Sequence, residues 1–286
     1  MIGQTPFICV SEDRRIWAKL ETHNRTGSVK DRMIDYICDI AVCDGSIEPG
    51  LTRIVEATSG NTGIALASYA AMMNCPCEII MPCNMSKERK QMMHALGAEI
   101  IETGPNEFKQ AIALRDEKLA NCTPAEYFSP LQFSNPLNIE CHRTTTAPEI
   151  HADVINAKCL KWEAFVHGSG TGGTMMGVKQ YIDDQNLGVQ CVLTQPEEDN
   201  ASHGIQGIND GADFLLDKNL IDEFIYVKTE DAIVRMKQFW KENGILVGIS
   251  SGANLLAAEK YVATHDPEGI VVTILCDRGE RYLNIM

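Results

Sequence analysis

With 286 residues, 44% of them hydrophobic, the chain can form one large packed domain or two smaller ones. A net charge of −14 and a pI near 4.9 argue against non-specific binding to nucleic acid or anionic membranes, while small anions held by local donors stay open. The cysteine count, 11, is odd and no CxxC occurs, so buried reduced thiols in a reducing compartment are expected rather than disulfides or zinc ligands.

The start, "MIGQTPF", lacks the basic and apolar regions of a secretory signal, and no stretch approaches the ~18 apolar residues of a membrane span. A soluble cytoplasmic protein is expected. Further on, "RIVEAT" (53–58) predicts a strand and "TGIALASYAAMMN" (62–74) a helix; "CEIIMP" (77–82) is a strand, "SKERKQMMHALGA" (86–98) a helix and "EIIET" (99–103) a strand. The polar segment 127–146, "YFSPLQFSNPLNIECHRTTT", carries two prolines and is the best candidate for a domain crossing. Beyond it come strands at 162–168, 189–195 and 269–277, and helices at 174–184, 230–244 and 252–265. Strands alternating with helices predict an α/β protein with mainly parallel sheets.

Ligands of such sheets sit where strands lead into helices, and four polar loops stand out. In "GSVKDR" (27–32), Ser28 and Asp31 have capping-box spacing, which puts Lys30 in the first helical turn. An exposed lysine there opposes the helix dipole at a cost of ~0.3–1 kcal/mol, and the same field favours a neutral, nucleophilic amine. By itself this is compatible with a surface lysine. In "EATSGNTG" (56–63), Thr58, Ser59, Asn61 and Thr62 cluster before a helix and can bind a carboxylate; an ordinary cap needs only one such group. In "HGSGTGGT" (167–174), four glycines with Thr171 and Thr174 make a phosphate cradle without the lysine of a Walker loop. "GISSGAN" (248–254) places two serines before a helix, as a cap or as a functional pair.

Gly168, Gly170 and Gly173 also satisfy the GxGxxG pattern, with Glu197 after the next strand, so an NAD-binding dehydrogenase is the competing reading from residues alone. It leaves "SVKDR" and "SGNTG" without a role. An amine, a phosphate cradle, a carboxylate loop and a buried hydroxyl together suit pyridoxal 5′-phosphate.

The ordered motifs "SVKDR", "SGNTG", "GTGGT", "GISSG" and "GERYL" resemble those of cysteine synthases (O-acetylserine sulfhydrylases) of the tryptophan synthase β-like, fold type II family, and the resemblance spans residues 2–283. "MPCNMSKER" (81–89), "TQPEE" (194–198) and "CDRGERYL" (276–283) are similar to the B isozyme, whereas "GIQGI" (204–208) is closer to the A isozyme and Arg25 stands where the family usually has proline. The resemblance implies two three-layer α/β domains with pyridoxal phosphate in the cleft between them. Residues 24–135 would form a smaller, mobile domain with the carboxylate loop, and residues 1–23 and 136–286 a larger one with the phosphate loop.

By the same resemblance, Lys30 forms the internal aldimine and acts as the base, Gly170, Thr171, Gly172, Gly173 and Thr174 hold the phosphate, Asn61 bonds the 3′-oxygen and Ser250 faces the pyridine nitrogen. Thr58, Ser59, Gly60, Asn61, Thr62 and Gln132 would grip the substrate carboxylate, with Gly207 also at the substrate site. The implied reaction converts O-acetylserine and sulfide to cysteine and acetate through an α-aminoacrylate, in a homodimer that can partner serine acetyltransferase. Within the family, cysteine synthases using O-phosphoserine or thiosulfate, cystathionine β-synthase, serine or threonine dehydratase and diaminopropionate synthase remain alternatives; a non-catalytic binding homologue is the alternative of another class. A neutral amide at Gln206 favours O-acetylserine over a phosphorylated serine.

Overall fold

The computed structural model describes residues 2–285 apart from 12, 14, 59, 124–125, 157–160, 199–203, 206 and 209–212. In chain order the elements are β1 (Phe7–Cys9), β2 (Ile16–Leu20), α1 (Lys30–Cys43), β3 (Arg53–Ala57), α2 (Asn61–Met73), β4 (Cys77–Pro82), α3 (Lys87–Ala95), β5 (Glu99–Thr103), α4 (Phe108–Ala120) and β6 (Tyr127–Phe128). They continue with α5 (Leu137–Cys141), α6 (Ala147–Asn156), β7 (Trp162–Gly168), α7 (Gly173–Asp184), β8 (Gln190–Pro196), β9 (Glu223–Val227), α8 (Thr229–Asn243), α9 (Ile249–His265) and β10 (Ile270–Leu275). None of the described helices is long and apolar enough to cross a membrane. The chain divides into two compact units, one made of Lys30–Gln132 and the other of Gly3–Val29 with Phe133–Met286.

The unit Lys30–Gln132 holds a four-stranded sheet of order β5-β4-β3-β6, parallel throughout. The central strands β3 and β4 are short runs buried on both faces, the pattern of a parallel sheet covered by helices, while the edge strands β5 and β6 are partly exposed. Val55, Ala57 and Ile80 point to α4, where Ala111 meets them. On the other face α2 approaches so closely that a Cβ on Gly63 would sit 3.1 Å from Ile79 and 2.8 Å from Met93. Ser86 caps α3, and Gly97, at φ +85°, reverses the chain after it.

The larger unit holds a six-stranded sheet of order β1-β2-β10-β7-β8-β9, in which β1 alone runs antiparallel to its neighbour. Alternate residues serve opposite layers. Ala164, Val166, Val271 and Leu275 face α8 and α9, while Phe165, Val272 and Ile274 face α6 and α7. The two cores are therefore built from one set of strands, and the architecture is α/β with mainly parallel sheets, as the strand–helix alternation predicts.

Two local features depart from the sequence reading. Segment 127–146 is not merely a polar crossing. It contains β6, α5 and one π-helical turn, His142–Thr146. Serines 250 and 251 do not precede a helix; both lie in the first turn of α9, behind Gly248. First-turn N–H groups need no intrahelical acceptor, so short polar side chains are tolerated there and apolar periodicity does not mark the start. Of the 11 cysteines, the ten that are described are all free thiols. Burial pushes Cys77 and Cys191 up to about 12, which keeps both unreactive at neutral pH.

Candidate active site

The turn that delivers Lys30 is built from buried polar groups. Asn24 donates through Nδ2 to Glu21 (2.6 Å) and to the Ser28 carbonyl (3.1 Å), and the Gly27 N–H closes the turn on the Asn24 carbonyl. Gly27 has φ +86°, and a Cβ there would meet Arg278 at 2.6 Å, so both its conformation and its contact require glycine. Ser28 bridges to Asp277, and the Val29 N–H reaches the Cys276 carbonyl at 2.8 Å, anchoring the segment to the end of β10. Lys30 is the next residue, half-buried, and the first of α1.

The carboxylate-type loop lies between β3 and α2. Thr58 and Thr62 are buried, Asn61 is half-buried and opens α2, and Ser59 lies outside the described residues. The Gly60 N–H points to Thr58 Oγ1 at 3.3 Å. Thr62 donates its hydroxyl to Gln132 Oε1 at 2.7 Å, and Gln132 Nε2 donates to the Ala57 carbonyl at 3.2 Å. Thr62 therefore offers a ligand its main-chain N–H rather than its hydroxyl. Beneath the loop, Glu56 is fully buried against Arg115. Burial pushes the Glu56 carboxyl up, against the opposing pull of Arg115 and the N–H donors of Gln132 and Ala57.

In the larger unit the glycine loop runs from the end of β7 into α7. Gly172 has φ +94°, and a Cβ on it would fall inside the main chain of Leu216; one on Gly173 would fall inside the Asn138 side chain. The Thr171 carbonyl accepts from the Leu215 N–H at 3.0 Å. Asn138 donates to Thr171 Oγ1 (3.0 Å), and His142 Nε2 lies 3.1 Å from Thr174 Oγ1, with its Nδ1 2.8 Å from Thr146 Oγ1. Asn254 accepts the Gly168 N–H at 2.9 Å and meets His167 Nδ1 at 3.1 Å. Ser250 is buried in the first turn of α9, and the neighbouring Ser251 hydroxyl accepts from the Cys276 N–H at 2.9 Å.

The loop fits a phosphate-bearing group on its own chemistry. Its backbone faces outward because glycines remove the side chains, the first N–H groups of α7 have no intrahelical acceptor, and two hydroxyls are held in place. Among the described residues, buried Ser169 Oγ has no hydrogen-bond partner, an orphan donor beside the cradle. The family model described as pyridoxal-phosphate dependent enzyme matches residues 1–277.

The chain belongs to this family. Cysteine synthase B of Salmonella typhimurium is 38% identical over 99% of this chain and 93% of its own length. A hydrogen sulfide-producing enzyme of Fusobacterium nucleatum superposes with TM-score 0.90 at 34% identity, covering 99% of this chain and 97% of that one. An O-acetylserine-dependent cystathionine β-synthase of Helicobacter pylori superposes with TM-score 0.89 at 34% identity, covering 99% and 95%.

Sequence reasoning did not single out four groups that brace these candidate loops. Asn138 and His142 stand four apart, a spacing that puts both on one helix face and could have drawn notice. Ser169 is masked by the glycines around it. Asn254 follows Ser250 by four residues but acts on β7, which only the fold reveals. Two further arginines make contacts of their own. Arg143 pairs with Glu140 and Asp184 at the surface, and Arg278 Nε donates to the Thr22 carbonyl. Gln206 lies outside the described residues, whereas Gly207 has φ +84° with open space around a Cβ position.

Proposed function

We propose that this enzyme catalyses β-replacement on O-acetyl-L-serine by sulfide, giving L-cysteine and acetate. The observation that carries the reading is the near full-length likeness to a cysteine synthase B, joined to a lysine that opens α1. When bound, pyridoxal phosphate supplies an electron sink that acidifies the α-C–H of an attached amino acid. Lys30 would hold the cofactor through its amine, and its Nζ, when free, would take the substrate α-proton and return it. Gly170, Thr171, Gly172, Gly173 and Thr174 hold the phosphate, with Asn138 and His142 orienting the two hydroxyls. Asn61 bonds the ring oxygen.

The substrate carboxylate binds at the N-terminus of α2, to Thr58, Ser59, Gly60, Asn61, Thr62 and Gln132, with Gly207 also at the substrate site. The reading extends to a cytoplasmic homodimer, with serine acetyltransferase as a protein partner. Mixing the loaded enzyme with sulfide and either O-acetylserine or O-phosphoserine tests the reaction and the ester together. Cysteine should form faster from O-acetylserine, because the neutral amide of Gln206 cannot neutralise a phosphate; absence of cysteine from both esters overturns the reading. The likeness to a hydrogen sulfide-producing enzyme supports a second reading, in which cysteine is the first substrate and sulfide the product. Sulfide release from cysteine alone, faster than cysteine synthesis, would select it.

Ser250 is proposed to face the pyridine nitrogen as a neutral hydroxyl. A neutral partner leaves the ring a weaker sink, which suits elimination of a good leaving group and disfavours transamination. Ser250→Asp should lower synthase turnover about tenfold or more and raise side reactions such as pyruvate release. An unchanged absorption spectrum with full activity would remove Ser250 from that position.

A further inference from the structure

Below the carboxylate loop, Glu56 is at the end of β3 and accepts three hydrogen bonds from within its own unit. Oε1 receives Arg115 (2.7 Å) and the Ala57 N–H (2.9 Å), and Oε2 receives the Gln132 N–H (3.1 Å). Arg115 reaches in from α4 one turn after buried Ala111, and its Nε is steered by Asp116 at 2.9 Å. Two of the groups that Glu56 holds are main-chain N–H groups next to the subsite. Ala57 precedes Thr58, and Gln132 carries the amide that Thr62 and Ala57 clasp. A buried ion pair is a weak source of stability, since desolvation offsets most of its attraction. The feature it does supply here is geometry: one carboxylate ties the start of the loop, at Ala57, to the Gln132 segment beside it.

We propose that Glu56, charged and oriented by Arg115, is a positioning residue that sets the affinity of the substrate α-carboxylate subsite without touching substrate. The inference rests on the reading of that loop as the carboxylate site. No apolar replacement could serve, because the N–H groups of Ala57 and Gln132 would lose their acceptor. An amide at position 56 keeps the shape, but it loses the charge and sets an NH2 against a donor. The loop then loosens where the ligand binds, while Lys30 and the phosphate cradle, built by other residues, keep their local structure.

The test is Glu56→Gln in the cofactor-loaded enzyme. KM for O-acetylserine should rise about tenfold or more, the factor expected for losing a hydrogen bond to a charged group, with kcat within about twofold. Equilibrium binding of L-serine, followed by its effect on the cofactor spectrum, should weaken by the same factor. The amides of Gly60, Asn61 and Thr62 should exchange with deuterium faster. Arg115→Met should reproduce these changes, and Arg115→Lys, which keeps a cation towards Glu56, should restore most of the affinity. The double variant Glu56→Gln/Arg115→Met carries no unpaired buried charge and replaces either single variant that fails to fold. Unchanged KM and exchange in these variants would overturn the inference, as would a fall in kcat with KM preserved. Should the wild type make no cysteine, the assigned reaction falls on that result alone, and loop exchange still decides whether Glu56 holds the loop.

Discussion

Lys30→Ala lowers cysteine formation by at least about a thousandfold, the loss expected when a positioned general base is removed, and leaves the fold intact. The chemical argument is that one amine performs attachment and proton transfer, and no neighbouring side chain in the turn can substitute: Val29 is apolar, Ser28 carries a hydroxyl that cannot form an imine, and Asp31 is fully buried. The structural argument concerns why the variant should fold. Lys30 is half-buried at the first position of α1, where a cation opposes the helix dipole, and alanine is the better helix former. The turn that carries it is held by the bonds of Asn24 to Glu21, to the Ser28 carbonyl and to the Gly27 N–H, none of which involves the Lys30 side chain. Reduction of the wild type with borohydride should leave the cofactor mass on the peptide containing Lys30. Retention of a tenth of the activity in the variant, or labelling of a different lysine, would sink the assignment.

Gly172→Ala should strip the enzyme of its cofactor. At φ +94° an L-residue with a Cβ is strained by roughly 1–2 kcal/mol, and here the added atom also falls on the Leu216 main chain. Overpacking against backbone costs about 1–3 kcal/mol more, since backbone cannot swing away as a side chain can. The Thr171–Leu215 bond and the first turn of α7 must shift to relieve it, which disturbs the N–H groups that face the phosphate. Affinity for pyridoxal phosphate should fall at least about tenfold, and the melting temperature of the cofactor-free protein should drop by roughly 5–10 °C. A control is Gly188→Ala. That glycine also has a positive φ, +66°, but a Cβ there meets nothing within 4 Å, so it should cost stability without affecting cofactor affinity. Equal cofactor affinity in Gly172→Ala and wild type would show that the loop does not hold the phosphate.

The α/β class, the strands at 77–82, 99–103 and 162–168, and the loops carrying Lys30, Asn61 and Gly170 were legible from the chain itself. Each depends on local chemistry: an apolar run bounded by polar turns, a glycine cluster, a cap-like spacing. Helix starts were less legible, as Ile249 shows, because a first turn tolerates polar residues that periodicity counts as loop. What the tertiary structure alone decided is which distant groups stand behind those loops. Glu56 and Arg115 are 59 positions apart, Asn254 and Gly168 are 86, and Asn138 and Thr171 are 33. A carboxylate in an apolar strand reads as an anomaly until packing brings α4 over β3 and supplies the guanidinium. Sequence pattern determines the pieces because short-range periodicity and turn chemistry act within a few residues. The partners that hold those pieces rigid meet only when two layers pack, and burial then requires every polar group between them to find a partner.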